Sequence, residues 1–193
     1  MATAPNPAVP PEVYVSFLAE INPNTAESLI ATMADIANKG VLRVTLLLST
    51  PGGAVPKGIA VYNSLRAMPF ELITHNVGNV DSVGNVVFLA GNQRFACPHS
   101  TFMFHGVAWH ATDGEQLTRG VLKERTEGLL ADEKRIGAII RERTKMRATD
   151  VDALFNEAKT KDATDAVSGG IVHEIKDVEI TPGAPILSLV FQR

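Results

Sequence analysis

The chain has 193 residues, enough for one domain with a sizeable core and hardly enough for two. With 18 Lys and Arg against 21 Asp and Glu its net charge is -3, and no basic run marks a patch, so nothing electrostatic argues for nucleic acid or an anionic membrane as partner. Its one cysteine, Cys97, excludes an intrachain disulfide and a cysteine metal cluster, and fits a reducing, cytoplasmic setting.

Residues 1–12 hold four prolines among small residues and read as a flexible arm; they lack the basic leader and apolar core of a signal peptide. No apolar run approaches bilayer length, so no membrane span is expected. Residues 13–193 then read as one domain. Residues 13–18 alternate as a strand does. Asn24 followed by Glu27 predicts a capping box for a helix carrying Leu29, Ile30, Met33 and Ile36, closed by Gly40. The continuous apolar run 44–48 predicts a strand buried on both faces of a parallel sheet.

The alternation repeats. Pro51-Gly52-Gly53 leads into a helix with Ile59, Tyr62 and Leu65, and a strand over 71–77 follows. Gly78 then opens a loop, with a short apolar helix from about Ser82 to Ala90. Short strands are predicted near 94–96 and 101–104. This rhythm implies right-handed crossovers and an α/β architecture. A capping box at Thr112 and Glu115 predicts a long amphipathic helix to about Thr144, with Leu122, Leu129 and Ile136 every seventh residue. Helices from Thr149 and Asp162 follow, then strands at 171–175 and 186–191.

Two glycine-rich strand ends are candidate chemistry. Gly52-Gly53 follows one buried strand, and the stretch 78–84, centred on Ser82, follows the next; ligands gather at such carboxyl ends in open α/β sheets. Ser82, where a loop turns into a helix, is either a cap or a nucleophile beside unpaired amides able to stabilise an oxyanion. His105, at the end of the apolar strand before Gly106, is either a structural donor or a base, since imidazole changes charge near neutrality. His75, His99, His110 and His173 have no metal-ligand spacing, so neither metal nor cofactor is expected.

Taken together, Leu47 through Gly53, Gly78 through Gly84 with Ser82 at its centre, and Phe102-Met103-Phe104-His105 resemble the Clp protease proteolytic subunit family. The pieces at 88–91 and 97–100, and at 163–167 with 170–172, extend the likeness to residues 13–175. The resemblance implies a ClpP/crotonase-like repeated β-β-α superhelix with a long handle helix. It also implies a serine endopeptidase with Ser82 as nucleophile, His105 as general base, and the amides of Gly53 and Val83 as oxyanion hole. Peptides or unfolded proteins would be the substrates, a homo-oligomeric ring the assembly, and an AAA+ unfoldase a possible partner.

Three departures accompany the likeness. The family has an aspartate four residues before the serine that opens the helix beginning here at Asp162, and that position is Ala158. The adjacent Glu157 is nominated to orient His105, while Asp162, the rival, is assigned a helix-capping role with Asp165. The proline-rich arm leaves little N-terminal segment for docking an unfoldase. After His105 the chain reads Gly106-Val107, where the family has glutamine-proline. A crotonase-type acyl-CoA enzyme and a non-catalytic assembly subunit are the alternative readings.

Overall fold

The computed structural model describes residues 10–109, 114 and 116–191. Most of the proline-rich arm and both capping-box residues, Thr112 and Glu115, lie outside the described residues. The chain opens with β1 (Glu12–Leu18), α1 (Pro23–Asn38), β2 (Arg43–Thr50), α2 (Val55–Ala67) and β3 (Glu71–Asp81). Then come α3 (Gly84–Phe88), β4 (Gln93–Ala96) and β5 (Thr101–Met103). The second half holds α4 (Arg119–Arg143), α5 (Ala148–Glu157), β6 (Thr160–Asp162), α6 (Ala163–Ser168), β7 (Glu174–Ile175) and β8 (Ile186–Leu189).

The sheet runs β6-β5-β3-β2-β1-β8, with β4 between β3 and β7 off that path. Every pairing is parallel except β5 with β6. The expected α/β alternation therefore stands, for the expected reason: β2 is a largely buried strand carrying an apolar run, and parallel neighbours need crossovers. Phe17, Phe88, Phe102, Met33 and Leu46 are among the fully buried side chains. Each contributes roughly 1.5–3 kcal/mol by leaving water. Phe88 and Phe102 meet edge to face with centroids 5.0 Å apart, which joins α3 to β5.

Several boundaries differ from expectation, each for a local reason. The cap of α1 is Asn22, two residues before the predicted box: Thr25 N donates to Asn22 Oδ1 (3.1 Å) and Asn22 N to Thr25 Oγ1 (2.9 Å). Pro23 at the first helical position, with no N–H to lose, sets that start. The cap of α4 is Thr118, whose hydroxyl accepts from Val121 N at 3.3 Å. Only the distal end of α4 is covered. Ile136, Gly137 and Ile140 are buried there, while Leu122 and Leu130 stay exposed on the half expected to carry the same stripe.

The strand β3 does not stop at Val77. Its register with β2 jumps from Leu48↔Asn76 to Thr50↔Val80, so the chain around Gly78 bulges and then resumes pairing. The bulge is pinned across strands: Asn79 N donates to Ser49 Oγ (3.3 Å), Ser49 Oγ to Asn79 Oδ1 (3.1 Å), and Asn76 Nδ2 to Thr101 O (2.8 Å). A Cβ on Gly78 would come within 2.8 Å of Ser49 Oγ, so the close approach requires glycine. One edge of β3 thus serves two partners in turn, β4 along Ile73–Asn76 and β5 along Asn79–Asp81.

The strand expected over 171–175 shrinks to β7 because Ile171 and Val172 enter the core instead, just after Gly170 turns at φ 73°. Arg94 sits beneath that turn, 4% exposed. Its guanidinium donates to the carbonyls of Ile171 (2.7 Å), Gly170 (3.1 Å), Arg143 (2.9 Å) and Gly91 (3.3 Å). Burial, aided by nearby Arg143, pushes its pKa down to about 10. Arg94→Met fills similar volume but strands the carbonyls of Ile171, Gly170 and Arg143, while Gly91 O keeps Arg143 Nη2 at 2.9 Å. It is expected to cost at least about 3 kcal/mol, read as a lowered urea midpoint at unchanged m-value.

Candidate active site

The backbone places Ser82 more sharply than a helix cap would. It follows β3 directly, and α3 begins only at Gly84 with Val83 as its cap residue, so the hydroxyl caps nothing. Its φ is +55°, a left-handed conformation costing a non-glycine residue roughly 1–2 kcal/mol. Backbone bonds hold it there: Ser82 N donates to Met103 O (2.8 Å), and Ser82 O accepts from Asn85 N (3.1 Å). Asn85 Nδ2 reaches the same carbonyl at 3.0 Å and Met103 O at 2.8 Å, tying the turn to β5. The Ser82 hydroxyl has no hydrogen-bond partner among the described residues. Strain held this firmly, around a side chain left unengaged, marks functional turns.

Asn85 was not singled out from the sequence. Its signal there is one amide inside the apolar run Gly84 to Phe88, and it is 1% exposed. Asn85 is among the residues lining the cavity, and its buried Oδ1 has no partner among the described residues.

The other glycine-rich loop presses against this turn. A Cβ on Gly52 would lie 2.6 Å from Ser82 Cβ and 3.3 Å from Ser82 Oγ. At Gly53, φ is +141° and a Cβ would lie 2.2 Å from Ile21 O. Ile21 clamps this loop from both sides, its N donating to Gly52 O (2.7 Å) and its O accepting from Ala54 N (2.8 Å). Neither Gly53 N–H nor Val83 N–H donates to another group among the described residues, so both amides remain open to a ligand.

His105 follows β5. Phe104 N donates to Lys159 O (3.1 Å) and Gly106 N to Phe155 O (2.9 Å), which straps the histidine's neighbours to the end of α5. The His105 Nδ1 lies 2.6 Å from Gly106 O. A carbonyl only accepts, so Nδ1 carries the proton and Nε2 holds the free lone pair, the tautomer a base requires. Ser82, His105, Gly53 and Val83 all line one cavity of about 260 Å³, together with Phe155 and Ile140. Ser82 and His105 are not hydrogen-bonded to each other; resting sites commonly tighten only around substrate.

The nominated acid does not join them. Glu157 is the last residue of α5, exposed, with its carboxylate paired to Lys159. Ala158 then turns left-handed at φ 47°, so this end of α5 offers His105's segment the Phe155 carbonyl and not the Glu157 side chain. Asp162 takes the capping role assigned to it, accepting from Asp165 N at 2.8 Å. His75 is buried in β3, donating Nε2–H to Lys176 O (3.0 Å), and burial pushes it below the usual histidine range. Among the described residues no three His, Cys, Asp or Glu side chains gather as a metal site, and His110 lies outside them.

A Clp protease family model matches residues 9–179. Similar curated proteins include ATP-dependent Clp protease proteolytic subunit 1 of Mycobacterium leprae, 30% identical over 101 residues, 49% of this chain and 50% of that protein. Another is ATP-dependent Clp protease proteolytic subunit 2 of Prochlorococcus marinus, 34% identical over 89 residues, 45% of this chain and 44% of that protein. The chain spans about half the length of these curated relatives. A mutant of ClpP1 from Listeria monocytogenes has the same fold, with TM-score 0.77 at 20% identity over 86% of this chain and 91% of that one.

Proposed function

The chain belongs to the Clp protease family, and on that premise we propose that it is a serine endopeptidase cleaving peptide bonds through an acyl-enzyme. Ser82 Oγ attacks the scissile carbonyl carbon and its proton passes to His105 Nε2. The carbonyl oxygen, now an oxyanion, takes hydrogen bonds from Gly53 N–H and Val83 N–H. The same proton then goes to the departing amine as the C–N bond breaks. Water repeats the sequence on the ester and releases the acid.

The observation that carries this reading is the meeting of a strained, unengaged serine, a histidine in the Nδ1–H tautomer and two open amides in one cavity. Substrates are small or unfolded polypeptides, because the cavity holds only a side chain or two and a folded protein could not present its backbone there. The exposed Leu122 and Leu130 on α4 support a homo-oligomeric ring or double ring built through that helix. An AAA+ unfoldase is a possible feeder of such a chamber. Among the described residues no helix is long and apolar enough to cross a membrane.

Labelling of the purified protein by a fluorophosphonate probe tests the reading. The natural chain should label, and both Ser82→Ala and His105→Ala should lose the label. A folded natural chain that stays unlabelled would leave the assembly-subunit reading, which the pairing of the Glu157 carboxylate with Lys159 favours.

A further inference from the structure

We propose that Glu133, on α4, is the positioning residue for His105, acting through the single peptide group that joins Gly106 to Val107. This rests on the serine-peptidase reading and supplies the acid that Glu157 does not.

The two halves of that peptide group are both engaged. Its carbonyl, Gly106 O, accepts the His105 Nδ1–H at 2.6 Å. Its N–H, on Val107, donates to Glu133 Oε1 at 3.1 Å. A carboxylate drawing on the N–H of an amide increases the negative charge on that amide's oxygen, since the two are conjugated. The Gly106 oxygen therefore becomes a stronger acceptor for the imidazole proton. It holds the ring in one tautomer and favours the imidazolium that forms when Ser82 gives up its proton. These are the two services an acid performs in a serine-histidine-acid set, here passed along one amide plane.

The surroundings fit the role. Glu133 is half-buried and lies three residues before Ile136 and seven before Ile140, so it belongs to the one stretch of α4 that packs on the cavity. Gly106 makes room for the carboxylate: a Cβ there would come within 2.9 Å of Glu133 Oε1 and 3.0 Å of Phe155 O. The preceding peptide group is anchored as well, its N–H on Gly106 donating to Phe155 O at 2.9 Å, so the chain entering the relay is held to α5.

Two measurements on the full-length protein test this, one independent of activity. The ring ¹⁵N and ¹³C signals of His105, assigned by their loss in His105→Ala, report its tautomer. They should show Nδ1–H in the natural chain, a mixture of tautomers in Glu133→Ala, and retained Nδ1–H in Glu133→Gln, whose amide oxygen still accepts from Val107. The fluorophosphonate labelling rate should fall about tenfold to a hundredfold in Glu133→Ala and by less in Glu133→Gln. Gly106→Ala, which displaces the carboxylate by a different route, should mix the tautomers as Glu133→Ala does. If the natural chain does not label but its tautomer responds to Glu133, the peptidase reading falls and the relay stands. A tautomer unmoved in a folded Glu133→Ala, or in Gly106→Ala should the first not fold, overturns the relay.

Discussion

The Ser82→Ala chain is expected to hydrolyse a fluorogenic peptide at least about a thousandfold more slowly than the natural one, and to melt at nearly the same temperature. The rate falls because the only atom removed is the one that would bond to the substrate carbonyl. The two proposed oxyanion amides remain and are expected to give some residual catalysis by water. The melting point holds because the hydroxyl has no partner among the described residues, and alanine at φ +55° pays the strain that serine pays.

Ser82→Gly separates the two contributions. Glycine accepts φ +55° at no steric cost, which returns roughly 1–2 kcal/mol, while its freer unfolded chain takes back about 0.5–1 kcal/mol. The variant should be as inactive as Ser82→Ala yet melt higher, by a few degrees at about 2–4 °C per kcal/mol for a chain of this size. Calorimetry on the three proteins decides. A Ser82→Gly chain that melts below Ser82→Ala would mean the turn is not strained, and the placement of the nucleophile would need another cause.

Much of this arrangement could be read without a structure, and the reasons for what could not are physical. Val44 through Leu48 and the helix after Gly53 are local signals, so the α/β alternation and the two glycine-rich strand ends were legible. Ser82 was legible only as one of two things, a cap or a nucleophile. What removes the cap is that β3 runs on past the bulge at Gly78 to Asp81, so that α3 starts only at Gly84 with Val83 as its cap residue; the bulge depends on Ser49 some 30 residues away and leaves no trace in the local pattern of β3. The acid was the least legible. Counting from Asp162 leads to Glu157, because counting assumes that the chain between α5 and α6 follows a shared path. The left-handed turn at Ala158 sends that side chain to Lys159 instead. Glu133 is 28 residues from His105 in sequence, and what connects them is a backbone amide, which no side-chain pattern records. The one hint was the departure at Gly106-Val107: a proline after the histidine's neighbour would have no N–H to give, whereas Val107 has one and uses it.

Gly53→Ala should be the most damaging single methyl in the molecule. Two costs fall on the same atom. At φ +141° an L-residue is strained wherever it is placed, and the added Cβ would sit 2.2 Å from Ile21 O, well inside contact distance. Ile21 O belongs to the backbone, so it cannot swing aside as a side-chain tip would. Relief requires the 52–54 loop to part from Ile21, breaking Ile21 N to Gly52 O and Ala54 N to Ile21 O. Gly53 lines the cavity, so the loop that moves is the one that carries the proposed oxyanion donor. Losing one such donor typically costs about a hundredfold to a thousandfold in kcat. The expected result is therefore a drop of that size in kcat for peptide hydrolysis, with Ser82 still present and a lowered melting temperature. Gly40→Ala serves as the control, since it shares a positive φ of 75° but has open space around its would-be Cβ and lies away from the cavity. It should lose stability alone and keep its kcat. Equal kcat in Gly53→Ala and the natural chain would remove Gly53 from the oxyanion hole and leave Val83 N–H to act without it.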